Sequence, residues 1–230
     1  MGNYGISEIQ KLVEDCQFDE FKNAVHAGEI DINIEHPKRY GLGGSIKSFS
    51  YRYAPDLENA VKWIKLFASL GADFNSEMMS LADNARGAEL IKAFAETGVD
   101  IHRRDDAGRT ILFFTAWHGN TEMIKRLAEL GLDVNAKDND GCTPLHYTLE
   151  IDKTDNMRCL VELGADVNAR DNNGCSAVFR AISDYKIDSL KCLKSLGADL
   201  NAKTNDGSTP LSLARNSPKA AKWLKANGAT

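Results

Sequence analysis

A period of 33 residues in the C-terminal half of the chain limits its fold more than any other feature. The period is marked by glycines that are each followed two residues later by threonine or serine: Gly108, Gly141, Gly174 and Gly207. A second row keeps the same period, and each of its glycines is followed two residues later by aspartate: Gly98, Gly131, Gly164 and Gly197. Self-similarity at this period is typical of stacked supersecondary units, so the chain is predicted to be a repeat protein.

Between the two glycine rows, each unit is predicted to contain two helices. The second helix is the clearer one, because Ile124, Leu127 and Leu130 form an apolar stripe at helical spacing that recurs in the next two units. Glycine adopts the left-handed conformation that ends a helix, so the glycine after each stripe is predicted to be a C-terminal cap. The first helix is shorter, as in residues 110–117, and segments such as 138–141 predict tight turns between units.

The segment 138–148 contains Thr143-Pro144-Leu145-His146 and resembles the ankyrin repeat, whose signature includes Thr-Pro-Leu-His. Residues 164–168, Gly-Ala-Asp-Val-Asn, are similar to the closing motif of that family. The resemblance implies an all-α ankyrin-repeat solenoid of about seven stacked helix-turn-helix units with short β-hairpin-like turns. Three other units depart from the signature, at 110–113, 176–179 and 209–212, and these departures are expected to affect stability more than fold.

The register predicts a single ankyrin-repeat domain over residues 1–230 with an irregular N-terminal third. Gly28 and Gly71 lie 43 residues apart, and Gly71 and Gly98 lie 27 residues apart, where a regular repeat has 33. One unit therefore has an insertion of ten residues, and the next is short. The predicted units are an N-terminal capping unit at 1–35, the unit with the insertion at 36–75, the short unit at 76–103, regular repeats at 104–136, 137–169 and 170–202, and a C-terminal capping unit at 203–230.

Charge and cysteine content argue against several classes of protein. A formal net charge of -5 disfavours a generally basic nucleic-acid binder. The five cysteines fit a reducing compartment, and the pairs one repeat apart, Cys142 with Cys175 and Cys159 with Cys192, are predicted not to form disulfides because stacked helices lie about 8 to 10 Å apart. The sequence has no apolar run of signal-peptide or membrane-span length, so we expect a cytoplasmic protein that does not bind membranes. We also expect a monomer.

The inserted segment 36–55 is basic and aromatic within this acidic chain. Tyr40, Tyr51 and Arg52 are candidate contacts to a partner, since tyrosine and arginine are favoured at interfaces, and such residues also stack on single-stranded nucleic acid. The favoured alternative is that Ile46, Phe49 and Tyr53 form the apolar side of a helix. Residues 41–48 also resemble a phosphate-binding loop, but the preceding strand is missing, so nucleotide binding is disfavoured.

We predict that the protein is not an enzyme and uses no cofactor or metal. The histidines have neither His-Glu-x-x-His spacing nor any clustered-ligand pattern. The family resemblance implies that His146 is structural and hydrogen-bonded near Thr143.

In ankyrin arrays the partner lies in a groove formed by the hairpin tips and the exposed side of the first helices. The resemblance therefore implies a non-catalytic protein-protein interaction module that acts as an adaptor, inhibitor or scaffold. Trp117 is predicted to be the main anchor, because tryptophan at such a position often dominates binding, and the alternative is packing against Phe114 or a neighbouring helix. The groove positions in this chain are Arg104, Asp106, Arg109, Trp117, His118, Lys137, Asn139, Asp140, Glu150, Ile151, Arg170, Asn172, Asn173, Ser183 and Asp184, followed by Lys203, Asn205 and Asp206.

Overall fold

The computed structural model describes residues 11–12, 14–27, 29–30, 56–70, 81–83, 86–118, 121–149, 154–183 and 186–230. The chain divides into two compact units, Met1–Arg103 and Arg104–Thr230. The secondary structure of the described residues is helical, with no β-strand among them, so the all-α prediction is confirmed. The count of about seven repeats and the β-hairpin character of the turns stay predictions.

Two described helices of the first unit, Phe18–His26 and Leu57–Ser69, pack together through a cluster of aromatic rings. Phe21 meets the rings of Trp63 and Phe67 edge-on, with centroids 5.1 and 5.3 Å apart. Trp63, Ile64 and Phe67 lie on the buried side of their helix, and all three side chains are at most 1% exposed. The helices of this unit whose bounds are described are α1 (Phe18–His26), α2 (Leu57–Ser69), a 3-10 turn (Leu81–Asp83) and α3 (Gly87–Glu96).

The second unit consists of helix pairs in which like helices stack on like. The first helices are α4 (Ile111–His118), α6 (Pro144–Tyr147), α8 (Ala177–Ser183) and α10 (Pro210–Leu213), and the second helices are α5 (Thr121–Glu129), α7 (Thr154–Glu162), α9 (Ile187–Ser195) and α11 (Pro218–Ala226), which follows a 3-10 turn (Ala214–Asn216). First helices pack on first helices, α4 on α6, α6 on α8 and α8 on α10. Second helices pack in the same way, α5 on α7 and α7 on α9.

Each second helix of this unit ends as the glycine row predicts. After α7, Gly164 has φ +96°, its N–H donates to the Val161 carbonyl at 3.0 Å, and Ala165 N donates to the Leu160 carbonyl at 2.9 Å. These two bonds form the Schellman arrangement, in which the glycine needs the left-handed conformation. The prediction of C-terminal caps is confirmed at the equivalent positions Gly131, Gly197 and Gly228.

Two of the four first helices begin at a threonine whose hydrogen-bond partner lies three residues later. Thr143 N donates to His146 Nδ1 at 3.1 Å, and the Thr143 hydroxyl lies 3.0 Å from the same nitrogen. In the last repeat, Thr209 N donates to Ser212 Oγ at 2.9 Å, and Ser212 N donates to Thr209 Oγ1 at 3.2 Å. Both pairs satisfy backbone donors that a helix N-terminus otherwise leaves free.

The two remaining first helices lack this partner, because Phe113 and Phe179 stand three residues after Thr110 and Ser176. The Thr110 and Ser176 hydroxyls are buried without a hydrogen-bond partner in the described part of the chain. A buried polar group without a partner lowers stability, so we expect these two departures from the signature to cost stability, whereas the departure at 209–212 keeps its cap.

We therefore expect Thr143→Ala and Ser176→Ala to differ. The first removes a satisfied cap and should lower the free energy of unfolding by about 1 kcal/mol. The second removes a buried hydroxyl that has no partner and should change stability by less than about 0.5 kcal/mol or raise it. Urea unfolding of the two variants measures both values, and an equal loss in both would contradict this account of the caps.

Asparagine side chains connect the ends of successive second helices. Asn135 Nδ2 donates to the Gly164 carbonyl of the next repeat at 2.9 Å, and its Oδ1 accepts from Asp166 N at 2.8 Å. Asn168 and Asn201 make the same pair of bonds one and two repeats later. One side chain in each repeat thus bonds to both a donor and an acceptor of its neighbour.

Candidate partner-binding surface

The turns between repeats, here called the tips, are residues 105–109, 138–142, 171–175 and 204–208. In the second tip, Asp138 N donates to the Cys142 carbonyl at 2.9 Å, and Asp138 Oδ1 accepts from Cys142 N and Asp140 N at 2.8 and 2.9 Å. A carboxylate at the start of the turn therefore fixes its backbone. Asp105 and Asp171 make equivalent bonds, and the Thr204 hydroxyl accepts from Ser208 N in the last tip.

Successive tips are bonded directly to one another through their backbones. Asn172 N donates to the Asp140 carbonyl at 2.9 Å, and the same bond joins the tips on either side. Gly141 has φ +77°, and a Cβ built on it would overlap Asn172 Oδ1 and lie 2.8 Å from Asn172 N. Glycine is required here both by the backbone conformation and by the close approach of the next tip.

The predicted contact residues Asn139 and Asn172 use their amide donors within this ladder. Asn139 Nδ2 donates to the Asp106 carbonyl at 2.9 Å, and Asn172 Nδ2 donates to the Asn139 carbonyl at 3.0 Å. Asn205 Nδ2 continues the series to the Asn172 carbonyl at 2.9 Å. Sequence reasoning placed these residues at the tips but did not assign them this bonding.

The predicted contact residues Arg104, Lys137 and Arg170 also bond to the following repeat. Arg104 Nη1 donates to the Lys137 carbonyl at 2.6 Å, and Lys137 Nζ donates to the Arg170 carbonyl at 2.9 Å. Arg170 Nη2 donates to the Lys203 carbonyl. These exposed cations donate hydrogen bonds to backbone carbonyls of the following repeat and thereby connect successive repeats.

Three predicted tip residues keep their side chains free. Asp106, Asp140 and Asn173 are exposed, and their side chains make no hydrogen bond or ion pair with the described part of the chain. Their backbones are held by the ladder. The tips therefore present two free carboxylates and an amide on a fixed frame.

A row of first-helix side chains lies at one position in successive repeats and was missed by the sequence analysis. It consists of Phe114, Tyr147, Arg180 and Leu213, spaced 33 residues apart. The first three are half-buried, and Leu213 is 41% exposed. The 33-residue step from Phe114 could have found this row.

Two side chains of the row contact the tips, Phe114 through a cation–π interaction and Tyr147 through a hydrogen bond. The Arg109 guanidinium lies 4.7 Å from the centre of the Phe114 ring and 2.7 Å from Asp105 Oδ2. Burial raises the pKa of the Asp105 carboxyl, but the hydrogen bonds from Arg109 outweigh it and bring that pKa below its ordinary value. Tyr147 donates to Asp138 Oδ2 at 2.8 Å, and burial together with this bond raises the pKa of the Tyr147 hydroxyl to about 12.

Trp117, the predicted anchor, is half-buried on α4. Its ring stacks on that of His118, which is exposed, with centroids 4.3 Å apart and planes at 21°. The indole Nε1 is buried and has no hydrogen-bond partner among the described residues. The Trp117 side chain therefore has a partly accessible aromatic face and a buried N–H donor that lacks an acceptor among the described residues.

His146 is held as the resemblance implies. Thr143 N–H donates to Nδ1, so the proton is on Nε2, which donates to the Cys175 carbonyl at 3.3 Å. Burial, with a contribution from the Arg180 charge, lowers the pKa of His146 to about 4. The predicted hydrogen bond near Thr143 is confirmed.

The cysteines are all free, which confirms that neither equivalent pair is bridged. Burial raises the pKa of Cys142 to about 11, although the Arg180 guanidinium donates to its sulfur at 2.9 Å. Cys159 and Cys192 lie in equivalent places and donate to the carbonyls of Thr121 and Thr154. Thiols that are buried or have a raised pKa, as these are, are poor nucleophiles.

Several predicted positions lie outside the described residues. They are Tyr40, Tyr51 and Arg52 with the whole segment 36–55, and Glu150, Ile151 and Asp184 of the predicted groove. Among the described ranges, no group of His, Cys, Asp and Glu side chains is placed to hold a metal ion. No described helix is long and apolar enough to cross a membrane.

Paired helices stacked at a 33-residue period, with tips bonded in series, define a helical repeat protein. The family model described as Ankyrin repeats (3 copies) matches residues 78–171 and 153–230, which together cover more than half of the chain. The chain belongs to the ankyrin-repeat family. A search of curated proteins gave no match. Ankyrin repeats are in general protein-protein interaction modules and are typically non-catalytic.

Proposed function

We propose that this protein is a non-catalytic module that binds one protein partner as an adaptor, inhibitor or scaffold. Binding uses a surface formed by the free tip side chains and the first-helix row, here called the partner surface. Its residues are Asp106, Asp140 and Asn173 at the tips, and Phe114, Trp117, Tyr147, Arg180 and Leu213 on the first helices.

The bonded tips are the observation that supports this proposal best. Backbone and asparagine bonds fix each tip to the next, as between Asn172 and both Asp140 and Asn139. A surface that is ordered before binding loses little conformational entropy on association. A few anchor side chains are then enough for useful affinity.

The chemistry of the partner surface indicates what the partner should carry. The first helices supply aromatic and aliphatic area at Phe114, Trp117 and Leu213, which suits an apolar side chain as anchor. The tips supply free carboxylates at Asp106 and Asp140, which suit lysine or arginine beside that anchor. We therefore propose a partner segment that combines apolar and basic residues.

Trp117→Ala is expected to weaken partner binding at least tenfold and to lower the melting temperature no more than Leu163→Ala does, because part of the half-buried ring is accessible as an anchor. Quantitative affinity capture with wild-type and variant bait, followed by titration of the captured partner, measures the loss. Leu163→Ala is the matched control, since it shortens another partly exposed apolar side chain, at the end of α7. Lower stability with unchanged binding would show that Trp117 is a core residue.

Nucleotide or nucleic-acid binding through residues 36–55 is the competing function. It predicts a rise in melting temperature with millimolar ATP or GTP, or a steeply salt-dependent gel shift with single strands. We expect neither. Replacement of residues 38–53 by a short linker tests whether this segment contributes to partner binding.

We also propose a cytoplasmic monomer of about seven repeats. The five free thiols, three of them buried, suit a reducing compartment. Sedimentation with and without reductant tests the monomeric state.

A further inference from the structure

The last second helix, α11, differs in charge from its three counterparts. The charged residues of α5 balance, those of α7 sum to one negative charge, and those of α9 sum to one positive charge. Helix α11 carries three positive charges and no acidic residue. The charged residues of the four helices are Glu122, Lys125, Arg126 and Glu129 on α5, Asp155, Arg158 and Glu162 on α7, Asp188, Lys191 and Lys194 on α9, and Lys219, Lys222 and Lys225 on α11.

The three lysines of α11 share one face. Their spacing of three residues places them along a stripe about 9 Å long, while Ala220 and Leu224 are buried. All three lysines are exposed, and none pairs with a carboxylate in the described part of the chain. This stripe is called the lysine face.

Neighbouring groups leave the positive charge uncompensated. Asp188, the carboxylate of α9, is 2.7 Å from Lys191. Lys194 Nζ donates to the Asn227 carbonyl at 3.1 Å, which brings a further cation to the C-terminal end of α11. Residues 207–230 contain Arg215 and the three lysines but no aspartate or glutamate.

The charge at the start of α11 is not explained by helix stability. The second residue of α5, α7 and α9 is Glu122, Asp155 and Asp188, and each acidic group interacts favourably with the positive end of the helix dipole. The second residue of α11 is Lys219, which has the opposite sign. Stability alone favours an acidic residue at this position, so the lysine points to another role.

We propose that the lysine face of α11 binds an acidic segment of a protein partner, at a site separate from the partner surface. The short stripe matches two or three carboxylates on a peptide. Binding along a nucleic-acid strand uses more phosphate contacts and stacking platforms than this helix provides. Membrane attachment by a surface helix requires a broad exposed apolar face, whereas Ala220 and Leu224 of α11 are buried and Trp223 is half-buried.

The test uses the full chain and a fluorescein-labelled octaglutamate peptide, with anisotropy as the readout. We expect saturable binding that weakens as salt rises and that falls at least tenfold in K219A/K222A/K225A. The matched control K125A/R126A removes two exposed cations of α5 and should change affinity less than about twofold. Absence of peptide binding, or an equal loss in the control, would overturn the proposal.

A second variant separates binding from folding. Lys219→Glu restores the charge found in the other repeats, so it should raise the melting temperature while it weakens peptide binding at least threefold. Unchanged peptide binding by this stabilised variant would contradict the proposal. Oligothymidine or phosphatidylserine vesicles that bind more tightly than the peptide, and lose binding in the triple variant, would assign the face to nucleic acid or membrane instead. Because α11 carries none of the partner surface, failure here leaves the proposed function untouched.

Discussion

Gly141→Ala is expected to lower the free energy of unfolding by about 2 to 3 kcal/mol. Alanine in the left-handed region costs about 1 to 2 kcal/mol, since Gly141 has φ +77°. Its Cβ would also displace Asn172, whose backbone and amide N–H groups bond to the preceding tip, and loss of a hydrogen bond costs about 1 kcal/mol more. Urea unfolding measures the change.

Gly207→Ala is the matched control. Gly207 has φ +83°, but no atom of the described residues lies within 4 Å of a Cβ built there. Only the backbone cost of about 1 to 2 kcal/mol should appear. Equal losses at the two positions would show that contact between tips adds nothing to stability.

Acidification from pH 7 to pH 5 is expected to cost about 2 kcal/mol of stability through His146 alone. Its pKa in the folded protein is about 4, below the ordinary value of 6.5, because burial disfavours the charged ring. The unfolded chain takes up a proton on this side chain as pH falls below about 6.5, and the folded protein does not until about 4. The stabilisation is therefore present above pH 6.5 and is lost as pH falls towards 4.

His146→Gln is the control, because a glutamine amide can accept from Thr143 N and donate to the Cys175 carbonyl without titrating in this range. Carboxylates such as Asp105 contribute to acid unfolding in both proteins, so the difference between the two pH profiles isolates the histidine. Parallel profiles would show that His146 does not keep its lowered pKa.

Much of the fold of the second unit follows from spacing. The glycines after the apolar stripes predict helix ends because only one conformation closes the two bonds seen at Gly164. The loss of half of the cap at Thr110 and Ser176 could also have been predicted, since phenylalanine three residues later has no polar atom to accept from their backbone N–H groups, whereas their unpaired hydroxyls could not.

The roles of the tip residues could not be read from sequence. Asn139, Asn172 and Arg104 donate to backbone carbonyls of neighbouring repeats, and those acceptors carry no sequence signal. The first-helix row was missed for a different reason. Family positions led to Trp117, whereas the row begins at Phe114 and is recognised only when the 33-residue step is followed through residues of unlike chemistry.

Hydrogen exchange of the protein with its captured partner tests the central claim most directly. Protection is expected in the first-helix segments 111–118, 144–147 and 177–183 and in the tips before them, with little change in α5 and α7. The pattern should weaken in the Trp117→Ala complex. Protection confined to α5 and α7, with the first helices and tips unchanged, would contradict the assignment of the partner surface.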